Sequence, residues 1–196
     1  YKVIIFCNDG LAVIDKYRHL LTDAQYKAYR AEVHAVRAMF YFYLMDMFGN
    51  VPLITSVDDT PGNAVQAGRP EVYGFVVKEL QEVEPLLPAG HSNLEGADYG
   101  RMTRSVADFL LAKLMLNAEV YADADWTDGR QPDGSQLYFT IDGQRLNAWQ
   151  ACKHYCDKVT AAGFTLASDY LSNFAVHNEN SPENIFIIPM DKHLYK

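Results

Sequence analysis

Cysteine, basic charge and long apolar runs are all scarce in this sequence, and each scarcity removes a class of protein. The three cysteines, Cys7, Cys152 and Cys156, are too few for a disulfide framework. Cys152 and Cys156 stand one helical turn apart with His154 on the opposite side, so they read as packing thiols rather than a metal cluster. Lys and Arg number 17 against 25 Asp and Glu, a net charge of -8. That balance argues against a nucleic-acid groove or an anionic membrane surface, both of which require clustered cations, and is compatible with a neutral ligand. No apolar run approaches the roughly 18 residues of a membrane span, and no signal peptide opens the chain.

Catalytic signatures are missing as well. G-x-S-x-G, H-E-x-x-H, G-x-x-x-x-G-K-[ST] and G-x-G-x-x-G do not occur, and the six histidines are scattered. Glu32, Asp46 and Asp108 are carboxylates that glycoside hydrolysis would need in pairs, yet nothing in the sequence sets two of them across a cleft. The reading is a protein that is not an enzyme and has neither cofactor nor metal. "DADWTDG", Asp123 to Gly129, approaches a calcium loop, but its third acid, Asp128, falls one residue late and Gly134 stands where the terminal glutamate belongs. It reads as a solvated acidic loop.

What the chain does contain is apolar and aromatic content, 49% and 13%, enough for a folded core. The pattern is helical. Val3, Ile4, Cys7, Leu11, Ile14 and Tyr17 suit a first helix over residues 2–20. Thr22 with Gln25 has the capping-box spacing for a second, from Asp23 to about Phe48, with Val33, Val36, Phe40, Leu44 and Met47 as its stripe and Ala35, Met39, Phe42 and Tyr43 widening it. Gly49 and Pro52 end that helix, and Ser56 to Gly68 reads as a surface loop. A third helix, with Pro70 in its first turn and Val72, Phe75, Val76, Leu80 and Val83 on one face, ends before Pro88. Thr103 or Ser105 caps a fourth along "VADFLLAKLMLNAEVYA". Asp123 to Leu146 reads as a long irregular segment, a length that usually goes with function or disorder. Asn147 with Gln150 opens a last helix with Trp149, Cys152, Cys156 and Val159 buried, stopped by Gly163. "ENIFIIP" is the strand candidate. The expected fold is therefore mainly α: degenerate, tetratricopeptide-like antiparallel helix pairs with long loops and a little β-structure near the C-terminal end. Residues 1–196 read as one helical region.

Arg37 lies inside an apolar stripe, where a guanidinium must find carboxylate or carbonyl partners, so it reads as a structural clamp on a neighbouring loop. Arg69 and Arg101 sit at loop ends and read as surface or capping residues. Trp126, Tyr138, Phe139 and Tyr99 fall outside the helical stripes. Flat rings with a polar tip suit stacking on sugar faces, although a loop tryptophan also serves to pin its own loop. Trp149 belongs to a core stripe and is no candidate.

The stretch "AEVHAVRAMFYFYLMDMFGNVPLIT" resembles the hallmark of the SusD/RagB family of Bacteroidetes nutrient-binding lipoproteins: an E-x-x-x-x-R-A start, an aromatic helix, then F-G-x-V-P-L. Later segments agree in order: "RPEVYGFVVKELQEVEPLLP" with a helix ending in L-P, "GRMTRSVADFLLAKLMLNAEVY" with G-x-x-T-x-x-A-x-x-x-L-L-A-x-x-x-L, and "GFTLASDYLSNFAVHNENSPENIFIIP" with a G-x-x-L, N-F and S-x-E-x-I-F succession. Family members are longer, so the chain looks like a middle portion of one. The resemblance implies a protein lipid-anchored at the outer-membrane surface, through an anchor outside this chain. Its implied partner is a SusC-like TonB-dependent transporter, and its implied task is to capture glycans, or in some members peptides, for import. A helical scaffold that binds another protein is the remaining alternative. By the same resemblance Arg37, Tyr41, Gly49 and Pro52 are scaffold positions. The family's binding aromatics lie on variable loops, so Trp126, Tyr138 and Tyr99 are ligand candidates from local chemistry alone.

Overall fold

In the computed structural model, which describes residues 1–59 and 65–189, helices form wherever the sequence carries a continuous apolar stripe with a start signal. Helix α1 spans Lys2–Lys16 and is followed by a 3-10 turn at Arg18–Leu20. Helix α2 spans Asp23–Phe48 and opens with a full Thr22/Gln25 capping box. The chain then forms β1 (Val51–Pro52), which pairs antiparallel with β2 (Gln66–Ala67). Helix α3 (Arg69–Val83) has Pro70 in its first turn and passes into a 3-10 turn at Glu84–Leu86. Helix α4 (Arg104–Leu116) and the one-turn α5 (Ala118–Tyr121) are separated at Asn117, whose side chain bonds back to the Lys113 carbonyl at 2.9 Å. Strands β3 (Tyr138–Ile141) and β4 (Gln144–Asn147) lead into α6 (Ala148–Ala161), again with a full capping box, Asn147 with Gln150. A 3-10 segment, Tyr170–Phe174, follows.

The helices pack in pairs, α1 on α2 and α2 on α3 in sequence order and α4 on α6 across the intervening hairpin, around one continuous core. In α2 the fully buried line is Ala31, Ala35, Ala38, Phe42 and Met45. The stripe expected there, Val33 to Met47, lies to one side of it, half-buried through Leu44, and Met47 is exposed. Small alanines take the closest approach because they let α1 and α3 come near the α2 backbone. The larger aliphatic side chains fill the flanks.

Arg37 is only 5% exposed. Its Nη1 donates to Asn8 Oδ1 at 2.7 Å and to the Thr55 carbonyl at 2.8 Å, and its Nη2 pairs with Glu79. One guanidinium thus joins α1, α2, α3 and the strand exit. His34 closes the same network, its Nδ1 2.6 Å from Glu79 Oε1. A second ion pair, Arg101 with Glu32, is bidentate at 3.0 and 2.7 Å and ties the loop before α4 to α2, so Arg101 is a structural tie. The Tyr1 hydroxyl donates to the Pro52 carbonyl at 3.1 Å.

Three sequence expectations need correction. "ENIFIIP" pairs with no strand among the described residues; Ile185 and Phe186 pack onto the core as irregular chain, and Ile188 is exposed. The β-structure sits instead beside the end of α2 and in a hairpin within the segment expected to be irregular up to Leu146. There Asp142 and Gly143 adopt φ 49° and 75°, the left-handed pair that closes a two-residue hairpin. On α6 the buried line is Ala148, Ala151, Tyr155 and Val159, while Trp149 is 40% exposed and Cys156 lies on the outside. Part of the loop expected from Ser56 to Gly68 also lies outside the described residues, and its far end forms β2.

Candidate functional site

The end of α2 sets up the region around Trp126. Gly49 has φ 69°, a left-handed value that lets the chain leave the helix while its N–H still bonds the Met45 carbonyl at 2.8 Å. Asn50 comes next and holds two elements. Its Oδ1 accepts from the Arg69 N–H at the start of α3 at 2.8 Å, and its carbonyl accepts from Gln66 Nε2 at 2.8 Å. Arg69 then donates from Nη2 to the Asp123 carbonyl at 2.9 Å. Arg69 therefore anchors the loop that carries Trp126, and its own Nε is buried without an acceptor.

Loop Asp123–Gly129 is ordered by its own acids. Asp123 Oδ1 accepts from the Asp125 N–H at 2.9 Å, Asp125 Oδ1 from the Thr127 N–H at 3.0 Å, and Asp128 Oδ1 from the Arg130 N–H at 2.7 Å. The Thr127 donors hold the Asp125 carboxyl below its usual range. These aspartates cap successive turns, which gives each carboxylate a local structural use. Among the described residues no group of three or more His, Cys, Asp or Glu side chains is placed to hold a metal.

Trp126 stands 78% exposed on this loop. It lines two shallow clefts, of about 420 and 350 Å³, and Arg69 and Asp123 line both with it. Asn50 and Gln66 belong to the first cleft, Arg130 and Gln131 to the second. Tyr138 and Tyr99 line neither. Tyr138 lies on β3, 43% exposed, with the Arg145 guanidinium 3.7 Å above its ring. That stacking uses one face of the ring within the hairpin. Tyr99 is half-buried in the loop before α4, and Phe139 packs edge-on to Tyr73 in the core. Of the three candidates, Trp126 lines these two clefts, and Tyr138 and Tyr99 lie on other segments.

Trp149, set aside as core in the sequence reading, holds the other end of the Trp126 segment. A side chain at Gly134 would come within 2.5 Å of the Trp149 ring, and the Gly134 carbonyl accepts from the Ala148 N–H at 3.1 Å. Gly134 N–H also donates to Glu119 at 2.7 Å.

An apolar cleft of about 390 Å³ was not anticipated from sequence. Tyr43, Phe109, Lys113, Tyr170, Phe174 and Phe186 line it, and Tyr170 meets Phe174 edge-on. The i, i+4 aromatic spacing in "DYLSNF" was the signal available for it. A buried ionic cluster joins Lys158 to Glu84 at 2.8 Å and to Asp108 at 3.1 Å. Burial first, and then the Glu84 charge, push the Asp108 carboxyl up to about 6 against the pull of Lys158. Asp108 is 2% exposed and lines none of these clefts, whereas Glu84 and Lys158 line a separate, smaller one of about 140 Å³.

Helix pairs, a clamp at the second helix and a loop-borne tryptophan over polar clefts define a helical scaffold with an exposed aromatic on one of its loops. The chain belongs to the SusD-like family, whose model, described as starch-binding and associating with the outer membrane, matches residues 1–116. It is 28% identical over 171 residues to the starch-binding protein SusD of Bacteroides thetaiotaomicron, covering 85% of this chain and 26% of that protein. A laminarin-binding SusD-like protein superposes with a TM-score of 0.68 at 24% identity, over 93% of this chain and 34% of the other. Surface glycan-binding protein A from B. thetaiotaomicron, solved with laminarihexaose, gives 0.63 at 23%, over 92% and 32%. The chain therefore spans between about a quarter and a third of the length of these relatives.

Proposed function

We propose that this chain is the helical portion of a non-catalytic glycan-binding protein of the outer-membrane surface, and that Trp126 is its sugar-stacking residue. The observation that carries the reading is the exposed indole beside Arg69 and Asp123. An apolar ring face takes the C–H face of a pyranose, while a guanidinium and a carboxylate beside it exchange hydrogen bonds with the ring hydroxyls. Membership of a family described as starch-binding, and relatives named for starch, laminarin and laminarihexaose, support the glycan class. Tyr138 and Tyr99 are secondary candidates, each with an exposed or half-exposed ring.

The protein hands its glycan to a SusC-like TonB-dependent transporter, and a lipid anchor outside this chain holds it at the membrane. Support for both is the family's description as associating with the outer membrane. The test uses the full-length protein on a glycan array, as wild type and as Trp126→Ala. The variant is expected to lose most of the array signal. A signal that Trp126→Ala leaves unchanged removes this residue from the site. Co-purification with a TonB-dependent transporter from detergent-solubilised outer membranes tests the partner, and recovery without one would refute it.

A further inference from the structure

Trp126, Arg69 and Asp123 line both clefts, so they form a wall with a recess on either side. One recess is lined further by Asn50 and Gln66, the other by Arg130 and Gln131. Both offer hydrogen-bond donors and acceptors beside the indole, and both are large enough for part of a sugar chain.

The charges around the wall are fixed. Each of Asp123, Asp125 and Asp128 accepts a backbone N–H two residues on, which holds its carboxylate in place. Three carboxylates therefore stand in this loop against two guanidiniums, Arg69 and Arg130, in a chain of net charge -8. Arg69 already gives one nitrogen to the Asp123 carbonyl. Arg130 is the remaining guanidinium beside this loop, but the three carboxylates outnumber the two cations, so an incoming carboxylate or sulfate meets more like charge than opposite charge. Neutral hydroxyls suit mixed donors and acceptors without that penalty.

Resting on the glycan-binding reading above, we infer that the Trp126 wall divides two adjoining subsites for one neutral oligosaccharide, and that uronate- and sulfate-bearing glycans are excluded. A chain engaging both recesses gains contacts that a single short sugar does not, so affinity rises with length.

The experiment is affinity electrophoresis of the full-length protein at low ionic strength, where exposed charges act most strongly. The gels contain an α-1,4-glucan, a β-1,3-glucan, xylan, galactomannan, polygalacturonate or alginate. Calorimetry then follows with a di- to hexasaccharide series of whichever neutral polymer retards the protein. The expected result is retardation by a neutral polymer alone, abolished in Trp126→Ala, with the hexasaccharide about tenfold or more tighter than the disaccharide. Retardation by polygalacturonate or alginate that Trp126→Ala abolishes overturns this inference and leaves the glycan site standing. Equal affinity for the disaccharide and the hexasaccharide overturns the paired subsites. Retardation unaffected by Trp126→Ala, or no retardation by any polymer, overturns the inference together with the reading beneath it.

Discussion

The Tyr41 hydroxyl donates to the Ile54 carbonyl and accepts from the Ile54 N–H, both at 2.7 Å, so one side chain of α2 satisfies both backbone groups of a buried residue in the strand exit. Tyr41 is wholly buried, and burial pushes its phenol up to about 12, which keeps it a neutral donor across the physiological range. This contact brings the chain back along α2 just after the helix has ended.

Tyr41→Phe keeps the ring and removes both bonds. The buried Ile54 N–H loses its partner, which is expected to cost about 1–3 kcal/mol, while the Ile54 carbonyl keeps the Asn8 Nδ2 donor at 3.1 Å. Urea unfolding of the full-length protein measures it. A variant as stable as wild type would show that water replaces the hydroxyl.

Arg37 and Glu79 make a sharper case, because each neutralises the other inside the core. Arg37→Met leaves Glu79 buried with His34 as its remaining partner, with an expected loss of about 3–5 kcal/mol, whereas Arg37→Met with Glu79→Leu is expected to recover much of it. A double-mutant cycle by chemical denaturation decides between the two patterns. Additive losses would mean that Arg37 acts through Asn8 and Thr55 rather than through Glu79.

The helix order was legible in the sequence because capping signals are local: Thr22/Gln25 and Asn147/Gln150 both form full boxes. The face of each helix that is buried was less legible. In α2 and α6 the closest contacts fall on alanines, since partner helices approach where side chains are small, and hydrophobicity alone favours the larger neighbours. The hairpin Tyr138–Asn147 had its signal in Asp142–Gly143, hidden by the polar residues around it. "ENIFIIP" has the composition of a strand, but pairing depends on a partner that local sequence does not encode. Of the candidate site, Trp126 was visible as an aromatic outside any stripe. Its neighbours Asn50, Arg69 and Asp123 were not, because they come together from three segments separated in the chain.

Gly134 and Trp149 give a test of how the Trp126 loop is held. A methyl group at position 134 would lie 2.5 Å from the Trp149 ring, which is too rigid to yield at its end, so Gly134→Ala is expected to destabilise by about 1–3 kcal/mol. Adding Trp149→Ala removes the obstacle, and the double variant is expected to cost less than the sum of the two single ones. Strict additivity in thermal unfolding would place the Gly134 requirement elsewhere.

Asp108 makes stability depend on pH with a sign opposite to that of a paired surface carboxylate. Its carboxyl sits at about 6 in the folded protein and near 3.8 when exposed, so between those values the folded state binds more protons than the unfolded one. Stability contributed by this group is therefore present below about 4 and lost as pH rises through 6. Asp108→Asn removes the titration and keeps the shape. Relative to that variant, wild type is expected to be more stable at pH 4.5 than at pH 7 by roughly 1–2 kcal/mol, less than the full shift because neighbouring Lys158 and Glu84 readjust. Urea unfolding of both proteins at the two pH values gives the difference directly. A constant gap would show that Lys158 keeps Asp108 ionised throughout, and a gap that widens towards neutral pH in favour of wild type would mean that the ion pair outweighs the burial.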